Sequence, residues 1–219
     1  MGEWTNVNLS ELTDITTRKG HANGNNVVCL NMDCVESGSG KVVAYSTSSL
    51  SSDKLAFSTG DVLFAKLRPY LKKYWLAEFD GVCSSEFLVL QAKPRIRSQY
   101  LYYIVSSEAF VNYNNSQTYG SKMPRTSWEI AKKFKYRIPE LHEQDLILSV
   151  LTAADEAIAT SRALVDKYAA LKQGLMQDLL TSEGEPIKVG RLGGRFFRGQ
   201  GISRAETTAD GVPCIRYGE

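Results

Sequence analysis

Ten of the 17 Lys and Arg residues that precede Pro139 fall in two clusters. Lys66, Arg68, Lys72 and Lys73 form the first; Lys122, Arg125, Lys132, Lys133, Lys135 and Arg137 form the second. Tyr70, Tyr74, Trp75, Trp128, Phe134 and Tyr136 interleave them. Cations of this kind neutralise phosphates and release counterions, which supplies most sequence-independent affinity for DNA and makes it salt-dependent. By charge alone the same clusters also fit lysine-rich strand faces turned to solvent.

Covalent chemistry has few candidates. No H-E-x-x-H, G-x-S-x-G, Walker A or strand-anchored G-x-G-x-x-G occurs. Residues 193–201 are glycine-rich, but no Lys-Ser/Thr follows, so they read as a turn-rich connection. There is no Asn/Asp-Pro-Pro-aromatic tetrapeptide of the kind amino-methyltransferases use. His21 and His142 lie near no nucleophile in a readable motif. Cys29, Cys34, Cys83 and Cys214 form no C-x-x-C pair. Zinc held by Cys29, Cys34 and Cys83 is a minor alternative to reduced, partly buried thiols. The expectation is no catalytic residue, no metal ligand and no cofactor on this chain.

The elements that must position the cations are of two kinds. Up to Pro139 the chain reads as a mixed, strand-rich domain. Short strands are expected at 27–30, 42–45, 62–67, 74–77 and 85–90, with turns at 23–26, 37–40, 60–61 and 80–81. A short helix capped by Ser98 follows, then a polar loop over 112–120, then a turn of helix opened by a capping box at 126–129. Phe134, Tyr136 and Ile138 alternate with Lys133, Lys135 and Arg137, so a strand there puts apolar groups on one face and cations on the other.

After Pro139, residues 141–180 read as one helix of about 40 residues, or roughly 60 Å. Ile147, Leu151, Ala154, Ile158, Val165, Tyr168, Leu171, Leu175 and Leu179 form a seam that suits one partner helix. Charge changes with the elements. Residues 1–139 carry 17 basic against 12 acidic groups, 140–184 carry 3 against 8, and 185–219 carry 6 against 4. The reading is α+β, with a domain at 1–139, a spacer helix at 140–184, and at 185–219 the opening of a second domain or a docking tail. No stretch approaches the roughly 18 apolar residues of a membrane span, and the polar, acidic N-terminus is no secretory signal. A cytoplasmic protein is expected.

GDVLFAKLRPYLKKYW (60–75), CSSEFLVL (83–90), YGSKMPRTSWEIAKKFKYRIP (119–139), LHEQDLILSVLTAADEAI (141–158) and LKQGLMQDLLTS (171–182) together resemble the DNA-specificity subunit of type I restriction–modification systems. The resemblance covers most of the chain, in order. It implies two DNA target recognition domains, each followed by a long helix, with the helices packed antiparallel and each domain reading one half of a split site. It also implies a subunit without catalysis of its own. Methyltransferase subunits carrying S-adenosylmethionine bind it, and a motor-nuclease restriction subunit can join. A second domain and helix are missing here, so a twofold antiparallel homodimer through 141–180 is expected. In such a family the variable loops carry specificity. Arg18, Lys19, Gln117, Lys122 and Arg125 are therefore the candidates for base contact, and Lys66, Arg68, Lys72, Lys73, Lys132, Lys133, Lys135 and Arg137 for phosphate contact. The alternative is a protein–protein adaptor that binds the methyltransferase without reading DNA.

Overall fold

The computed structural model describes residues 4–20, 27–48, 54–120, 122–180 and Arg191. The turn expected at 23–26 and the segment at 185–219, Arg191 apart, lie outside them, and that segment holds Cys214 and the whole glycine-rich stretch at 193–201. Among the described residues no helix is long and apolar enough to cross a membrane. The elements are β1 (Thr5–Asn8), α1 (Leu9–Leu12), β2 (Thr13–Ile15), β3 (Val27–Leu30), β4 (Ser46–Ser48), β5 (Leu55–Phe57), β6 (Val62–Ala65), β7 (Tyr74–Leu76), β8 (Gly81–Cys83), β9 (Phe87–Ala92), α2 (Ser98–Ser106), α3 (Glu108–Ser116), α4 (Trp128–Ala131), β10 (Lys135–Ile138) and α5 (Leu141–Leu180).

The domain is layered about β6. All four of its residues are apolar and buried, as a strand covered on both faces requires. It sits between β9 and β7 in an antiparallel sheet of order β2-β9-β6-β7. Val62 and Phe64 point to one core, with Tyr74, Leu88, Leu90, α2, α3 and the first turns of α5. Leu63 and Ala65 point to the other, with Leu30, Trp75, Cys83, Phe87 and Val89, where the second sheet, β4-β3-β8-β5, closes. Edge-to-face ring pairs fill both layers: Phe64 on Phe110 at 5.0 Å and Phe57 on Trp75 at 5.6 Å between centroids. At Gly81 an added Cβ would come within 2.8 Å of the Val28 carbonyl oxygen, so the β3–β8 pairing needs a glycine there.

β10 pairs with β1 as a separate two-stranded ribbon. Its alternation is the expected one: Phe134 and Ile138 are buried, while Lys133, Lys135 and Arg137 are exposed. α5 has the expected ends, Leu141 and Leu180. The chain falls into two compact units, 1–161 and 162–219. The part of α5 from Leu141 to Ser161, nearly six turns, therefore belongs to the unit that holds the sheets.

Four local expectations are corrected. The strand at 42–45 is only a bridge from Val42 to Val35, with the strand itself at Ser46–Ser48. The loop over 112–120 is helical up to Ser116. Ser107 caps α3 by accepting from the Phe110 N–H, and buried Asn114 donates to the Phe110 carbonyl. The capping box at 126–129 does not form. Ser127 is the N-cap but makes no side-chain cap bond, and the Thr126 hydroxyl instead donates to Asn114 Oδ1 at 2.7 Å. The N-cap of α2 is Arg97, and Ser98 is its first helical residue.

Candidate nucleic-acid interface

The first cation cluster is the connection between β6 and β7. The strand pair ends at Ala65, whose N–H donates to the Lys73 carbonyl. Between them Pro69–Leu71 makes one 3-10 turn, with Pro69 supplying a preset φ at its start. Arg68 and Lys72 flank that turn in left-handed conformations, with φ of 51° and 50°. A non-glycine residue is held there only when its surroundings over-determine it, at a cost on the order of 1 kcal/mol or more each. The Arg68 N–H donates to the Pro124 carbonyl at 2.7 Å, which is one such restraint.

That bond joins the loop to a second one. Tyr119 and Arg125 exchange backbone hydrogen bonds at 3.1 and 3.0 Å and close a miniature hairpin, turned at Gly120 with φ of 87°. Arg125 also bridges to Leu67, and the Thr126 N–H donates to the Lys66 carbonyl. The buried Thr126–Asn114 bond then pins the base of the hairpin to α3. Lys66, Arg68, Lys122 and Arg125 thus share two loops that hydrogen-bond to each other. Exposed Tyr70, Tyr119 and Met123 stand on the same two loops.

Beneath them lies an open cavity of about 350 Å³, lined by Lys66, Glu86, Tyr119, Arg125, Thr126 and Trp128 among others. Arg125 Nη2 donates to Glu86 Oε1 at 3.0 Å across it. Glu86 Oε2, Arg125 Nε and Arg68 Nε are buried without a hydrogen-bond partner.

The remaining cations are placed elsewhere. Lys132, Lys133, Lys135 and Arg137 do not continue the Lys122–Arg125 hairpin. The last two lie on the β1–β10 ribbon, and Lys132 pairs with Glu129. Lys72 forms an ion pair with Glu108 of α3, and Lys73 Nζ donates to the Met32 carbonyl at 2.7 Å. These two therefore fasten the loop to the domain as well as lending it charge. Arg18 and Lys19 are exposed beside β5, where the Arg18 carbonyl accepts from Ala56 and Lys19 bridges Leu55. Arg18 is also close enough to Asp80 to help lower its pKa, behind the hydrogen bonds from Thr59 that lower it most. Gln117 is exposed at the end of α3. The partners that the sequence had not placed at this site are Glu86, Glu108, Asn114 and Thr126, the last read only as the start of a capping box. Each is a single polar residue whose role depends on a distant neighbour.

Cys29, Cys34 and Cys83 are buried free thiols. Burial, with Cys29 beside it, pushes the Cys83 thiol up to about 12, so it is no nucleophile near neutrality. Among the described residues no group of three or more His, Cys, Asp and Glu is placed to hold a metal ion.

Along the helix seam, Ile147 packs against the domain's own core, beside buried Leu148, and Leu151 is half-buried. Ile158, Val165, Tyr168, Leu171 and Leu175 are exposed by half or more, as is Leu179. Ala154 is exposed as well.

Residues 1–167 match the family described as the type I restriction modification DNA specificity domain. The chain belongs to this family. It is 25% identical over 181 residues to the type I restriction enzyme EcoDI specificity subunit of Escherichia coli, a match covering 81% of this chain and 40% of that protein. Over 101 residues it is 30% identical to the MjaVIII specificity subunit of Methanocaldococcus jannaschii, covering 46% of this chain and 24% of the relative. In fold it is similar to the HsdS subunit from Thermoanaerobacter tengcongensis, with a TM-score of 0.65 at 24% identity, over 86% of this chain and 52% of the other. The chain thus spans about half the length of its relatives or less. The α+β architecture, a recognition-type domain of sheets followed by a long helix, is the one the family resemblance implied.

Proposed function

We propose that this chain is the sequence-reading, non-catalytic specificity component of a type I restriction–modification assembly. It directs methyltransferase subunits, which carry S-adenosylmethionine, and a motor-nuclease restriction subunit to a split DNA site in the cytoplasm. The observation that carries this reading is the joining of two cation-bearing loops, Lys66–Lys73 and Tyr119–Arg125, over one polar cavity. Phosphate contacts position a protein on DNA, and base-edge contacts specify.

In this reading Arg125 and Lys122 reach base edges, with Gln117, Arg18 and Lys19 as further candidates. Lys66, Arg68, Lys72, Lys73, Lys132, Lys133, Lys135 and Arg137 meet phosphates. The exposed apolar residues of α5 from Ile158 to Leu175 support an antiparallel pairing of this helix with that of a second copy. Such a homodimer reads two identical half-sites, which form an inverted repeat under twofold symmetry.

The test is co-expression with the cognate methyltransferase subunit and long-read mapping of methylated bases. A gapped palindrome is the expected result. A complex that assembles but methylates no defined motif would favour an adaptor that does not read DNA.

A further inference from the structure

The cavity, the apolar helix residues and the buried thiols either belong to the site already described or have no ligand to point to. The contact between α2 and the start of α5 is different, because it is polar, specific and used by nothing in the reading above. Gln144 is fully buried, a rare state for this residue type. Its Oε1 accepts from the Arg97 N–H at 3.0 Å, and its Nε2 donates to the carbonyls of Arg95 and Pro139, each at 3.0 Å. One side chain therefore ties together the turn before α2, the end of the segment leading into α5 at Pro139, and α5 itself.

Three more ties continue along the same helix face. Arg97 grips Asp145 with two hydrogen bonds of 2.8 Å. Gln99 Nε2 donates to Thr152 Oγ1 at 2.9 Å, and the Tyr103 hydroxyl donates to Asp155 Oδ2 at 2.6 Å. Leu148 and Ile147 fill the space between with apolar contact. The ties run in the same order on both partners and extend over about 16 Å of helix.

Apolar packing alone holds a helix but tolerates rotation and sliding. These ties do not. A turn of about 100° by one residue, or a slide of about 5.4 Å by one helical turn, removes every partner.

We infer that this joint, centred on Gln144, is a positioning device that sets the length of gap the protein accepts between half-sites. The inference rests on the split-site reading proposed above. Inserting one base pair moves the far half-site by about 3.4 Å and turns it by about 35°. A domain locked to its helix cannot follow that change, whereas a domain on a loosened joint can.

The experiment uses the full chain with its methyltransferase subunit. The targets are a plasmid set carrying the unaltered chain's half-sites, separated by its preferred gap and by one or two base pairs more or less. The variants are Gln144→Leu and the double variant Arg97→Lys with Tyr103→Phe. The double variant touches only the rim of the joint, so it decides the matter if Gln144→Leu does not accumulate. The expected result is that discrimination against gaps one base pair too long or short falls at least tenfold, with the bases read in each half-site unchanged. Variants as gap-selective as the parent overturn the inference and leave the split-site reading standing. A change in the bases read overturns it too, since the joint would then act on the reading loops. A parent that yields no gapped motif removes the split-site reading and this inference together.

Discussion

The two stretches of α5 obey one periodicity and meet different fates. From 141 to 155 the residues on the side facing α2 include buried Gln144 and, at the rim, Asp145, Thr152 and Asp155, and each has a named polar partner in the same domain. From 158 to 176 the stripe is Ile158, Val165, Tyr168, Leu171, Leu175 and Met176, all exposed by half or more. An apolar stripe says that a helix must be covered, but not by what. Polar residues on the same face say more, because a buried amide tolerates only the geometry that satisfies it. The first stretch is therefore a joint with one solution, and the second is a surface whose partner is chosen by shape.

The sharpest way to break that contrast is to charge the second stretch. Leu171→Glu with Leu175→Glu places two carboxylates on the proposed helix pairing, where burial without partners is prohibitive. We expect a species of twice the chain mass for the parent and a monomer at micromolar concentration for the variant. The thermal midpoint of the domain should be unchanged, and the gapped motif should be lost. A variant that keeps the doubled mass would show that this face is not the pairing surface.

The same kind of change in the first stretch acts on folding instead. Leu148 is 8% exposed and belongs to the core. Leu148→Ala removes that packing and leaves a cavity, at a cost of about 2–5 kcal/mol. Equilibrium denaturation is the check. A midpoint within error of the parent would mean that the helix rests on the domain without contributing to it.

These contrasts also mark what was legible in advance. The bounds of α5 follow from steps of three and four beginning just after Pro139, and β10 follows from strict alternation. β6 is an unbroken apolar run. All three are local patterns. α3 was hidden because Asn112, Asn114 and Asn115 read as loop, although Asn114 is buried and bonded on both sides of its amide. The interface was only half legible for a related reason. Its cations stand out by type, but Lys122 and Arg125 were grouped with Lys132–Arg137 by nearness in sequence. Backbone bonds from Lys66 and Arg68 to the hairpin group them otherwise. Glu86 gave no sign, since one acid at the head of a strand has no pattern.

A smaller effect separates the two groups of cations. Arg125→Ala removes a candidate base contact and releases Glu86, and should cost about 1–3 kcal/mol at one position of the motif while relaxing the choice of base there. Lys133→Ala, on the exposed stretch before the β10 ribbon, should weaken all sequences alike and flatten the salt slope by about one. Binding titrations of the assembled complex over several salt concentrations, on cognate and singly altered sites, separate the two. A sequence-selective loss from Lys133→Ala would reverse the assignment.

The smallest effect returns to the joint. Hydrogen bonds from Arg97, and then its charge, hold the Asp145 carboxyl below the usual carboxylate range, and the same pair raises the Arg97 guanidinium. A carboxyl whose folded value is depressed stabilises the fold fully above its unfolded value. That contribution is lost as pH falls through the lowered folded value, so the window opens only below about pH 4. Both side chains are about half exposed, so solvent screening keeps the contribution modest. Asp145→Asn should therefore leave stability near neutrality almost unchanged and make its decline below pH 4 shallower. Thermal midpoints measured from pH 6 to pH 3 test this. If the two chains decline in parallel, the pair's charge adds little, and the joint depends on the buried amide of Gln144 rather than on its rim.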